Sequence, residues 1–306
     1  MSTKYSAMIF PVISLLISAT LWGIAWFPLR LLESNGLQGL WTSALIYCVP
    51  ALVASFLLFT RRKEILSQPG WLLLIAAGNA WCNVAFILAI LEGNVMRVLL
   101  LFYLSPLWAT LLAWLILKEH MSRLAVVTLI IAMSGAAVML WDPSIGHPWP
   151  SSLSDWLAIT SGMAFAVANV SVRRTQGISI PVKNLSSWIG VSVLAIVWIA
   201  VSDAPNPTAS YNVILWTLVL GPLMVFVMTF TVQYGVTKLP VYRSAVILLF
   251  ELVAGAVSSQ LLTDEVMRIN EWIGGGVIVL AAYLSAYAYV HHPAETKLEI
   301  RTEIPK

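Results

Sequence analysis

Apolar runs of about twenty residues recur along the whole chain, each long enough to cross the roughly 30 Å hydrocarbon core of a bilayer. No other feature limits the fold as strongly. Only 10% of the 306 residues are charged while 59% are hydrophobic, and the mean hydropathy is +0.87. That is too little charge to cover the surface of a soluble domain. The chain reads as an all-α integral membrane protein.

The sequence predicts ten spans: 10–30, 40–60, 70–91, 97–117, 123–141, 154–172, 184–202, 211–234, 241–262 and 271–290. The connections are short, and the longest, "DPSIGHPWPSSLS" and "DAPNPTAS", carry the Pro, Gly and Ser of loops. The first span runs straight into "LWGIAWFPLR" without a small-residue cleavage pattern, so it is expected to be a retained helix. Cys48 and Cys82 fall inside apolar runs and are expected as packing residues, not as a disulfide.

Placing the N-terminus in the cytoplasm puts fourteen of the seventeen Lys and Arg on the inner side. Arg30, Arg97 and Arg268 remain outside. Both termini are therefore expected to be cytoplasmic. The net charge of +3 then reports orientation and gives no reason to expect a nucleic-acid partner. The tail 291–306 is polar, lacks a lipidation signature, and is expected to be disordered.

Two stretches resemble each other 146 residues apart: "VMRVLLLFYLSPLWATLLAWLILKEHM" from Val95 and "VYRSAVILLFELVAGAVSSQLLTDEVM" from Val241. Arg97 falls on Arg243, Leu115 on Leu261, Glu119 on Glu265 and Met121 on Met267. Span four thus aligns with span nine. An offset of five spans is odd, so the second copy enters the membrane inverted, as in many secondary transporters. The expected organisation is a first five-helix repeat (1–141), an extracytoplasmic linker (142–153), a second repeat (154–290) and a cytoplasmic tail (291–306). The alternative is an old duplication that serves only as scaffold.

Three motifs, in order, carry a family resemblance over all ten spans. They are "LWGIAW" with Trp22 and Gly23, "LSPLWATLLAWLILKEH" with Ser105, Pro106 and Glu119, and "FELVAGAVSSQLLTDE" with Glu251 and Glu265. The chain resembles the drug/metabolite transporter superfamily in its ten-helix EamA-type branch. In span nine Leu252 stands where the family has proline, which puts the family's kink there in doubt. The resemblance implies a carrier, often an exporter, of small metabolites such as amino acids or hydrophobic cations.

Ionised groups at membrane depth cost about 2.5–3.5 kcal/mol on insertion scales and usually face a cavity or pathway. Of fourteen acidic residues only Glu251 lies deep in a span. It reads as a proton-coupling site or a cation-binding carboxylate, or else as a structural carboxyl that ties helices together. Trp22 and Trp26, one turn apart, offer ring faces for a substrate or act as packing. Asn79 and Asn83 need partners on a ligand or on neighbouring helices. Tyr103 and Ser105 stand at the Pro106 break, and Asn169 of span six is expected to line the inner half of the path. Met228 suits an adaptable apolar wall or ordinary packing. Pro106 and the Gly221-Pro222 pair are the expected hinges. Ser187 and Trp188 are expected outside the site, and the Gly274–Gly276 run reads as close helix contact. Arg97 and Arg243 are expected to snorkel toward head groups, with a gating role as the alternative.

Nothing resembles an enzyme. The four His lie outside the spans, no metal, nucleophile or phosphate-loop motif appears, and no cofactor is expected. The predicted function is secondary transport, with export favoured by the resemblance, of small amphipathic metabolites such as amino acids by alternating access coupled to protons through Glu251. Organic-cation export or uncoupled uniport is the alternative, and a channel or non-transporting scaffold represents a different class. The expected partners are a small-molecule substrate, protons and the lipid bilayer, with a monomer expected over a dimer. A multi-pass protein of the bacterial inner membrane is the expected location.

Overall fold

The computed structural model describes residues 2–142, 149–202, 204–264 and 266–291, with side chains from residues 9 to 290 of these. His147, Glu265 and the tail beyond residue 291, including Lys297, Arg301 and Lys306, lie outside the described residues. Ten long helices follow one another: α1 (Ile9–Ser34), α2 (Gly39–Thr60), α3 (Pro69–Glu92), α4 (Val95–Leu117), α5 (Arg123–Met139), α6 (Leu153–Arg174), α7 (Ile180–Val201), α8 (Tyr211–Lys238), α9 (Val241–Leu262) and α10 (Ile269–Val290). All but α5 are long and apolar enough to cross a membrane, nine among the described residues. The segment expected as the fifth span is an apolar helix of 17 residues. No strand occurs among the described residues.

Three helices are interrupted near their middles. Proline lacks the N–H for the helical ladder, and its ring collides with the carbonyl four residues back. Pro28 accordingly ends the first part of α1 at Ile24, leaving Ala25 as a turn. Pro106 does the same to α4 at Tyr103–Leu104. The freed Phe102 carbonyl is covered by Gly162 of α6, where an added Cβ would lie 2.6 Å from that oxygen. In α9 the break falls at Leu249, in register with Tyr103 of the first copy and with no proline to cause it. Leu252 N–H reaches back only three residues, to the Leu249 carbonyl. The break coincides with the closest approach of α1, for a Cβ on Gly23 would lie 2.5 Å from the Glu251 carbonyl oxygen. Tertiary contact accompanies here the interruption that proline accompanies in α4.

Two special residue sets are placed differently from the simplest expectation. Helix α8 runs unbroken through Gly221 and Pro222, without the interruption seen at Pro106. Gly221 instead admits Ile46 of α2, whose Cγ2 would be 2.3 Å from an added Cβ. Nor do Arg97 and Arg243 snorkel. Arg97 donates to Asp155 at 2.7 Å and to the Trp149 carbonyl at 2.6 Å. Arg243 is buried, donates to the Ser285 carbonyl at 3.1 Å, and packs against the Tyr242 and Tyr289 rings. Carboxylate and carbonyl acceptors hold the Arg97 head, and a carbonyl and two ring faces hold that of Arg243.

Small residues set the helix spacing, as is usual where lipid cannot drive helices together. Gly190 of α7 meets the Ala76 carbonyl of α3, and Gly78 of α3 meets Ala164 and Ala168 of α6. Gly135 of α5 and Gly274 of α10 face each other across a seam. That is the close contact expected of the glycine run, made by its first member.

One end of the bundle is sealed, the end at which α4 and α6 finish and α7 and α9 begin. Leu15, Ile75 and Ile247, from three helices, and Leu239, from the α8–α9 turn, are fully buried there in one apolar cluster. Around it lies a charged clamp. After a short π-helical turn, Lys118 takes a left-handed conformation (φ 59°) and turns the chain back on itself. Glu119 then accepts from Arg173 Nε at 2.9 Å and from the Val241 N–H at 2.8 Å. Arg173 also donates to the Thr237 carbonyl at 3.0 Å. Both charged side chains are buried, so the pair joins the end of α4 to the end of α6 and to the α8–α9 turn.

Candidate transport site

Glu251 sits in the first turn after the α9 break, at the place that Ser105 holds after the break in α4. It is deep in the bundle yet partly accessible, while the residues toward the sealed end are buried. The Tyr103 side chain, held by the α4 break, lies beside its carboxyl group. Cys82 of α3 lies in the electrostatic neighbourhood of Glu251, with its sulfur against Ser161 Oγ. The two breaks thus meet at one carboxylate. Beside Tyr103, the rings of Phe86, Phe102 and Phe165 form a contiguous aromatic wall with centroids 4.8–6.0 Å apart. Such a wall presents ring faces to a cation or an aromatic side chain.

The expected site residues fall into three groups. Glu251 and Tyr103 are together, with Asn83 beside Cys82 on α3 and Ser105 buried just past Tyr103. The side-chain oxygen of Asn83 has no protein partner. A second group is engaged with the protein. Trp26 donates to Ser258 Oγ at 2.9 Å, fixing α1 to α9, and Asn79 donates to Ser187 Oγ at 3.1 Å and to the Ile75 carbonyl. Trp22 and Asn169 are partly accessible. Met228 forms the third case, because it is 2% exposed and its carbonyl accepts from Ser18. It belongs to the α1–α8 packing, which is the ordinary-packing alternative for Met228 and not the adaptable wall.

Sequence reasoning set aside Cys82 and Ser187, and did not reach the aromatic wall. A cysteine in an apolar run carries no signal of its surroundings. Ser187 is a hub, accepting from Asn79 of α3 and from Gln233 of α8 at 3.1 Å each. Gln233, an amide inside an apolar run, was the visible sign of that hub. Among the described residues no group of three or more His, Cys, Asp or Glu could hold a metal ion.

A family model described as the EamA-like transporter family matches residues 9–141 and again 152–287. The chain belongs to this family. The EamA-like match covers well over half of the sequence and falls on it twice, as a two-copy architecture requires. EamA-like proteins are membrane transporters, which makes this chain a multi-pass membrane protein of a transporter family. Twenty-eight chains of solved structures are similar to it. One, described only as the crystal structure of a protein, shares 16% identity over 90% of this chain and 97% of its own, with a TM-score of 0.67. That likeness shows the fold alone. No curated protein matches the sequence.

Proposed function

We propose that this EamA-like protein is a proton-coupled secondary transporter that exports small amphipathic metabolites bearing an amine, amino acids among them. The observation that carries the reading is Glu251, a partly exposed residue deep in the bundle where two broken helices meet, beside Tyr103 and an aromatic wall. A carboxyl so placed takes either a proton or an ammonium group, and competition between the two is the simplest coupling of opposed fluxes. The ten helices act as two inverted five-helix repeats, and the site is exposed to one face at a time. The Lys and Arg distribution supports cytoplasmic termini, with the sealed end inside. A bacterial inner membrane suits such a carrier.

One observation favours organic cations as a second reading. The basic side chains within the spans that have partners, Arg97, Arg173, Lys183 and Arg243, all engage groups near helix ends. A zwitterion bound at Glu251 would thus leave its carboxylate to neutral donors, whereas a simple amine needs none. Proteoliposomes holding the purified protein discriminate. Phenylalanine, phenethylamine and tetraethylammonium are offered across an imposed pH gradient. Accumulation of phenylalanine supports amino acids, accumulation of the two cations alone supports the second reading, and gradient-independent movement of any of them denies proton coupling.

Cys82 supplies an independent check, since it is in no disulfide, is partly accessible and lies in the electrostatic neighbourhood of Glu251. In a Cys48→Ala background, a transported probe is expected to slow modification of Cys82 by a small membrane-permeant maleimide several-fold. Unprotected labelling would place the substrate elsewhere.

A further inference from the structure

A second ionisable group is enclosed on the sealed side of the site. Lys183, in the first turn of α7, is 0% exposed. Its amine nitrogen donates to the Val172 carbonyl and to Thr237 Oγ1, each at 2.9 Å. Both acceptors are neutral. The charged groups facing it are Arg173 from α6, Lys238 from the end of α8 and Glu64 from the α2–α3 connection. Glu119 of α4 lies beyond Arg173 and is bonded to it. Glu64 accepts from the Ser179 N–H. Among the described residues no carboxylate is bonded to Lys183, which is unusual for a lysine so completely enclosed.

A polar file leads from this amine back toward Glu251 through apolar surroundings. Ser187 stands one turn from Lys183 on α7 and accepts from both Asn79 and Gln233. Thr237, one turn from Gln233 on α8, is the acceptor of Lys183. Asn83 stands one turn from Asn79 on α3, next in the chain to Cys82, which lies in the electrostatic neighbourhood of Glu251. Along the file Gln233 Oε1 and Asn83 Oδ1 are buried without a protein partner. Asn184, next to Lys183, has neither its oxygen nor its nitrogen bonded. Buried polar atoms of this kind are satisfied by ordered water.

We propose that Lys183 is a proton relay between Glu251 and the sealed end, reached through water held by Asn79, Ser187 and Gln233. The proposal rests on the reading of Glu251 as the proton carrier. The neutral carboxyl group of Glu251 gives its proton to water and becomes a carboxylate. The neutral amine of Lys183 accepts a proton from the same file and becomes an ammonium. When the sealed end opens, the ammonium gives that proton to water there and returns to the amine. One proton crosses per passage, and only O–H and N–H bonds change.

The test uses proteoliposomes holding wild type, Lys183→Met, Gln233→Met or Glu251→Gln, with phenylalanine and phenethylamine as probes and pyranine inside as a pH reporter. Two rates are read: probe exchange without a pH gradient, and probe accumulation driven by one. Lys183→Met and Gln233→Met are expected to keep exchange and to lose driven accumulation together with the pyranine signal. Wild-type accumulation in either variant overturns the relay. Should Lys183→Met fail to fold, Gln233→Met decides alone. Coupling that is lost in Glu251→Gln but kept in both other variants sinks the relay and leaves the proton-carrier reading standing. Absence of coupling in the wild type overturns both.

Discussion

Glu251→Gln is expected to abolish pH-driven accumulation while the protein still inserts and folds. Glutamine keeps the size of the side chain and one acceptor oxygen for Tyr103, so the packing of the broken α9 against Gly23 of α1 should survive. The amide takes no proton in the physiological range and carries no charge to balance an ammonium group. Accumulation in proteoliposomes should therefore fall to the level of protein-free vesicles. A residual exchange of uncharged probe is the sign that the path itself is intact. Glu251→Asp tells charge from reach: it restores a titratable group about one methylene short of Tyr103, and partial recovery is expected. Full pH-driven accumulation in Glu251→Gln would reduce the residue to a structural carboxyl.

The second large effect concerns stability. Glu119 is 2% exposed and satisfies two donors at once, Arg173 Nε and the Val241 N–H. Glu119→Gln leaves the guanidinium enclosed without its carboxylate. Breaking one partner of a buried pair typically costs about 3–5 kcal/mol. The expected result is a fall of several degrees in Tm in detergent, and easier access of thiol reagents to cysteines introduced near Leu239. The double variant Glu119→Gln with Arg173→Met should regain much of the loss, because no charge is then left enclosed. Additive losses in that cycle would mean that the two side chains do not act as a pair.

Much of this molecule is legible from the chain alone, for identifiable reasons. Runs of twenty apolar residues can do little but cross lipid as helices, and Pro106 interrupts α4 because its ring and missing N–H act locally. Glu251 stood out because a lone acid in an apolar run is costly. What escaped depends on neighbours distant in sequence. Leu249 breaks α9 where Gly23 approaches, and nothing in "VILLFEL" announces it. Pro222 stays inside a continuous helix, and its glycine neighbour serves Ile46. Arg97 was expected to reach for lipid but finds Asp155, 58 positions away. Cys82 gave no sign that Glu251 lies nearby, and Met228 could be read either as wall or as packing until its burial was seen.

The two ion pairs at opposite ends of the bundle have a joint consequence. Arg97–Asp155 fastens the start of α4 to the start of α6, and Glu119–Arg173 fastens their finishes. A pair of rods riveted at both ends cannot splay, so these two helices should travel as one body through the transport cycle. If this end opens during transport, the contacts expected to yield are hydrogen bonds to the α8–α9 turn, among them those to the Val241 amide and the Thr237 and Lys238 carbonyls, not the ion pairs. Spin labels on the lipid faces of α4 and α6 would then keep one separation in every state. They would serve as an internal ruler against which the swing of the α8–α9 turn can be read.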